Sequence, residues 1–215
     1  MYGVVVSTTR PPAGTAAVAA ADGFRSRARR ALRGEISAVA MDLFLAQGFD
    51  DTTVEQIAEA AGMSRSSFFR YFPTKEDVVV GDLAAYGQQI LDALSARPDA
   101  EPPWTALRMA LEPVIQTNDT VRARQTSRMS LHTPTLRARH HEKTMTWSAL
   151  LLPEVARRMG IPEPHLDDPR PAALIACALA CLDVAIGTWT SSETNTSLTE
   201  LVDVAMNSVR PPDIP

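Results

Sequence analysis

Arg65, Ser66, Ser67, Phe69, Arg70 and Tyr71 crowd an unusual chemistry into seven positions. Two guanidinium groups, two hydroxyls and two aromatic rings suit recognition of a polyanion rather than bond-breaking. Arginine grips guanine or phosphate with two donors, and serine or an aromatic ring meets phosphate or a thymine methyl. For all six to face outward they need a short helix held from behind. Phe68 and Phe72, four residues apart, supply the inward side. Ser64 is placed to cap that helix and Pro73 to close it.

The residues before it read as a partner helix. Thr52 or Thr53 can cap it, with Glu55 or Gln56 three positions on, the pattern of a capping box. Val54, Ile57, Ala58 and Ala61 then share one face, and Gly62 turns the chain. Thr74 and Asp77 repeat the capping pattern for the helix that follows. The spacing predicts a helix-turn-helix whose second helix enters a major groove. An ordinary helical hairpin with a solvated polar face is the plainer alternative.

Over residues 52–79 the pattern TTVxxIAxxAGxSxxxFFRYFxxKEDVV resembles the signature of TetR-type bacterial transcription regulators. The resemblance implies that Ser64, Arg65, Ser66, Ser67, Phe69, Arg70 and Tyr71 meet a major groove and that Thr53 and Lys75 hold backbone phosphate. Phe69 departs from the family, many of whose members carry tyrosine there, so apolar contact replaces a hydroxyl–phosphate bond.

The 215 residues suffice for one large or two small domains, and 45% hydrophobic with 21% charged residues is ordinary for a soluble globular chain. The net charge of -4 divides unevenly. Residues 24–75 hold eight Arg/Lys against six Asp/Glu, and residues 76–215 hold twelve against eighteen. A basic head on an acidic body confines nucleic-acid contact to the head. We expect a flexible Pro- and Ala-rich leader (1–23), a helix-turn-helix DNA-binding domain (24–73) and a ligand-binding and dimerisation domain (74–215). Arg29, Arg30 and Arg33 open the first helix, ready for phosphate or the minor groove, or simply solvated. Leu32, Ile36, Val39, Leu43 and Phe44 form that helix's apolar stripe.

Helical periods continue to the end, without strand alternation. One helix is expected over residues 74–96, joining head to body, then others over 104–115, 117–131, 134–159, 172–190 and 198–209. The fold class is all-α, with about nine helices, three in the head and a six-helix bundle behind. The resemblance assigns the last two helices to a homodimer interface, and an operator with two half-sites also calls for a dimer. Residues 172–189 are apolar enough to raise a membrane span, but Asp183 and the polar flanks argue against one. Cys177 and Cys181 sit one turn apart, too few for a disulfide framework and suited to small helix contacts in a reducing cytoplasm. No signal peptide is evident.

His132, His140, His141 and Glu142 invite a metal reading, but adjacent helical histidines point about 100° apart and chelate one ion poorly. Neither a metal nor a cofactor is expected. No nucleophile elbow, phosphate loop or spaced carboxylate pair supports an enzyme. Arg122, Arg124, Arg128, Arg137 and Arg139 form either a salt-bridged face or the mouth of a pocket for an acidic group. TPTLRAR through Trp147 resembles a TetR subgroup of mycofactocin-type regulators, some of which respond to fatty acyl-coenzyme A. Tyr86, Trp104, Met109, Arg128, Met129, Met145 and Trp147 are the candidate ligand contacts. The sequence thus reads as a cytoplasmic homodimeric repressor that binds double-stranded operator DNA and is released by a small apolar or acyl-type ligand. The competing readings are a helical ligand-binding or interaction module without operator specificity, and a helical-bundle enzyme.

Overall fold

The computed structural model describes residues 13–81, 83–161, 167–192 and 195–209. Their regular structure is entirely helical. Helix α1 (Ala13–Gln47) begins ahead of the composition break, because the alanine-rich run at 13–23 favours helix without any apolar stripe. Residues 1–12 of the expected leader lie outside the described residues. Helix α2 (Val54–Ala60) starts in a complete capping box. Thr53 Oγ1 accepts from Gln56 N at 3.2 Å, and Gln56 Oε1 accepts from Thr53 N at 2.8 Å. Helix α3 (Arg65–Tyr71) starts at Ser64, whose hydroxyl accepts from Ser67 N at 3.1 Å. Ile36, Phe44, Ile57, Phe68 and Phe72 close the head's core behind these caps.

The single helix expected over 74–96 is two. Helix α4 (Glu76–Val80) stops at Gly81, and α5 (Leu83–Ser95) begins beyond it. Gly81 holds φ 70° and ψ -160°, a conformation open to glycine and strained for other residues, so the helix cannot run through. Thr74 and Asp77 do exchange their capping bonds, Thr74 N to Asp77 Oδ2 at 2.9 Å and Asp77 N to Thr74 Oγ1 at 3.2 Å. Counting α4 and α5 as one interrupted helix leaves nine among the described residues, and ten otherwise.

The remaining helices are α6 (Pro103–Asn118), α7 (Val121–His132), α8 (Pro134–Arg158), α9 (Arg170–Ser191) and α10 (Leu198–Ser208). Leu107, Leu111, Leu151, Ile175 and Val202 centre the body's core. Helix α8 belongs to both cores. Leu136, near its start, is fully buried in the head cluster, while Trp147, Leu151 and Val155 are buried in the body. Its far end is locked by Arg158, whose side chain is 1% exposed. That guanidinium pairs with Glu154 at 2.9 Å and donates to Leu94 O at 2.7 Å and Arg97 O at 2.8 Å, satisfying the end of α5. Helix α9 has the length and apolarity to cross a bilayer. It packs instead against α6, α7, α8 and α10 and carries Asp183, bonded to His140.

Candidate nucleic-acid interface and cavity

Helix α3 presents Arg65, Ser66, Phe69 and Arg70 to solvent, with Phe68 completely buried beneath. Phe69 is 40% exposed, a large apolar surface left uncovered on a helix of seven residues. Arg65 pairs with Glu55 of α2 at 3.0 Å, but both side chains are more than half exposed, so the pair is worth little to stability. Ser67 and Tyr71 are half-buried. The Ser67 hydroxyl accepts from Ser64 Oγ at 3.1 Å, so those two hydroxyls serve the cap first. Thr53 is exposed, with its hydroxyl in the capping box of α2.

Lysine 75 differs from expectation. Its ammonium donates to Phe49 O at 2.7 Å, Thr52 O at 2.9 Å and Asp50 O at 3.4 Å, and lies 4.3 Å from the Phe49 ring centroid. Three donors are spent on three carbonyls of the loop that leads into α2. The geometry gives Lys75 an inward role beside the phosphate contact expected of it: it shapes the loop that delivers Thr53.

The arginines of α1 have an equally specific use. Arg29 Nη2 donates to Arg70 O at 3.1 Å, and Arg33 Nη1 donates to Tyr71 O at 3.0 Å. Arg33 also stacks on Phe72, 4.7 Å from its ring centroid. Two cations thus cap the negative, carbonyl-bearing end of α3 and set its pose. Neither the phosphate reading nor the solvated-cluster reading of these arginines anticipated that.

Behind the head lies a partly open cavity of about 1200 Å³, walled by α1 and α4 of the head and by α5 to α10 of the body. Of the candidate ligand contacts, Tyr86 and Trp147 line it. The others go elsewhere because side-chain direction around each helix decides lining, not residue type. Trp104 is buried in the body core, Met129 packs against the head core, and Arg128 is exposed. Met109 and Met145 are 40% and 64% exposed on outer faces. In their place α8 turns Leu136, His140, Lys143, Thr144 and Trp147 into the cavity at spacings of three and four, a periodicity present in the sequence. Trp147 can lie so close to α5 because position 87 is glycine, where a Cβ would fall 2.7 Å from the indole.

The arginines of the body divide. Arg122 lines the cavity and crosses to the head, bonding Asp42 and the Ala38 carbonyl at 2.7 Å each. Arg139 pairs with Glu142 at 2.8 Å, and Arg124 bonds the Ser192 carbonyl. Arg137 is exposed and lines the cavity. His140 Nε2 sits 2.7 Å from Asp183 Oδ1, an ordinary interhelical bond between α8 and α9. Cys181 is buried, which pushes its thiol pKa up, while Cys177 is exposed on the outer face of α9 rather than sharing its environment.

Residues 36–80 match the family described as bacterial regulatory proteins, tetR family, and residues 101–212 match the MftR C-terminal domain. The HTH-type transcriptional regulator TcmR of Streptomyces glaucescens is 32% identical over 200 residues, covering 88% of this chain and 87% of that protein. A Mycobacterium tuberculosis protein named as a mycofactocin biosynthesis transcriptional regulator, MftR, is 34% identical over 137 residues, 62% of this chain and 69% of its own. The fold is shared by Thermus thermophilus FadR, a TetR-family transcriptional repressor crystallised with lauroyl-CoA. That structure has a TM-score of 0.53 and 21% identity, covering 85% of this chain and 98% of its own.

Proposed function

Since the chain belongs to the TetR family of bacterial regulatory proteins, and so is a transcriptional regulator and not an enzyme, we propose that it is a dimeric repressor released from its operator by a small apolar or acyl-type ligand. The observation that carries this reading is one of shared parts. Arg29 and Arg33 line the 1200 Å³ cavity and hold the last carbonyls of α3. A ligand that moves α1 or competes for its guanidinium groups re-aims the recognition helix in the same step. Two recognition helices serve half-sites about 34 Å apart or at multiples of that spacing, so a small re-aiming lowers operator affinity. The ligand shifts the balance by the ratio of its affinities for the two arrangements.

In this reading Arg65 and Arg70 read bases or steer by charge, Phe69 meets sugar or a thymine methyl, and Ser64, Ser66, Ser67, Tyr71 and Thr53 fix register on phosphate. The dimer forms through α9 and α10, whose outer faces expose Ala176, Cys177, Ala180, Val184 and Val204. Val184 and Val204 are each 64% exposed, which an interface would cover. The lauroyl-CoA of the Thermus thermophilus structure, on the same fold, supports an acyl-type effector. The reading needs no metal or cofactor and places the protein in the cytoplasm.

The test is retention of DNA from the protein's own upstream region against scrambled DNA at two salt concentrations. Arg65→Ala should lose about 1–3 kcal/mol on the operator and little on random sequence. Equal loss on both DNAs would reduce Arg65 to a phosphate contact and remove the specificity claim.

A further inference from the structure

The chain has two lysines among its 21 basic residues, and one of them stands inside the cavity. Lys143 lies on the face of α8 that turns inward, its Nζ 4.3 Å from the Trp147 ring centroid. Among the described residues no hydrogen bond or ion pair reaches that ammonium. Among the described residues the carboxylate that acts on it, Asp183, is engaged by His140 at 2.7 Å. Burial consequently wins, and desolvation draws the Lys143 pKa down to about 8 against the weaker pull of Asp183.

The rest of the wall has the same sign. Six of the described lining residues are Arg or Lys, and Asp183 is the one acidic side chain among them. Of the five arginines, Arg30 and Arg137 are exposed, and the other three differ from Lys143 in having work elsewhere. Arg29 and Arg33 bond α3, and Arg122 bonds α1. The apolar part of the lining includes Leu182, Ile186 and Trp189 of α9 and Tyr86 of α5.

We propose that Lys143 is the contact for an anionic group, a carboxylate or a phosphate ester, borne by an apolar ligand whose body lies along α9. An anion arriving there restores to the ammonium what burial removed, so a neutral ligand of the same shape gains less. The inference rests on the cavity being the effector site and adds a charge requirement to it.

Calorimetric titration of the full-length protein with laurate, dodecyl phosphate and dodecanol separates the terms. The wild-type protein should bind one or both anions about tenfold or more tighter than the alcohol, and which anion leads identifies the headgroup. Lys143→Met should erase that preference while keeping dodecanol affinity, and Lys143→Arg should retain it. Equal binding of all three by the wild-type protein overturns the anion contact and leaves the cavity as a neutral-ligand site. Binding of none overturns the effector reading as well. A preference that survives Lys143→Met moves the contact to the arginines and refutes the assignment. Loss of all three probes in Lys143→Met alone makes the lysine merely structural.

Discussion

Replacing Lys143 with methionine should make the protein more stable at neutral pH. Desolvation at this half-buried position draws the ammonium's pKa down to about 8 from an ordinary 10.5, so holding it charged in the fold costs at most about 3 kcal/mol. The Trp147 ring returns about 1–2 kcal/mol of that through its face. Methionine keeps the length and apolar stem without the charge, giving a net gain of about 1–2 kcal/mol. The dependence on pH has a definite sign. Between pH 8 and 10.5 the unfolded lysine holds its proton more than the folded one, so the wild type gains stability as pH rises through that window. The advantage of Lys143→Met should therefore be full at pH 7 and should shrink or reverse by pH 10. Urea unfolding of both proteins at each pH and one fixed concentration measures it, and groups common to both cancel in the difference. A variant less stable at pH 7, or an advantage unchanged at pH 10, would refute the desolvated-lysine account.

Three further outcomes follow from the head. Arg33→Ala should cost about 1–2 kcal/mol of stability, through the lost Tyr71 carbonyl bond and the Phe72 stack, and should weaken operator binding. Arg30→Ala, in the same run, should stay within about 0.5 kcal/mol in denaturant titrations. Lys75→Met should destabilise the head by about 2 kcal/mol while leaving the slope of DNA affinity against salt unchanged, because its donors are spent on carbonyls. A slope reduced by about one charge would restore it to the phosphate contacts.

What the sequence made legible was local. Thr53 with Gln56, Ser64 with Ser67, and Phe68 with Phe72 act within one or two helical turns, so their spacing alone announced the helix-turn-helix. The partners of Arg33 and Lys75 lie 38 and up to 26 residues away, and nothing in a cluster of basic residues says whether it faces phosphate or a carbonyl. Gly81 was visible within an apolar run, yet only its backbone angles show that it ends a helix. The cavity was read through residue type, which favoured methionines. The helical period of His140, Lys143 and Trp147 was the better guide, since direction around α8 decides what faces inward.

Helix α8 carries a consequence for how such proteins are recombined. Leu136 is fully buried in the head's core cluster, although it lies more than fifty positions beyond α4, the head helix that α8 packs against. A graft cut after α4 would take the head without that side chain and leave a void in its core cluster, at a cost of about 2–5 kcal/mol. The seam along which heads can be exchanged between relatives is therefore not a point on the chain but a pair of places, one after α4 and one in the first turn of α8. Any transplant that changes DNA preference must carry both, or supply a new residue at 136 that fits the incoming core.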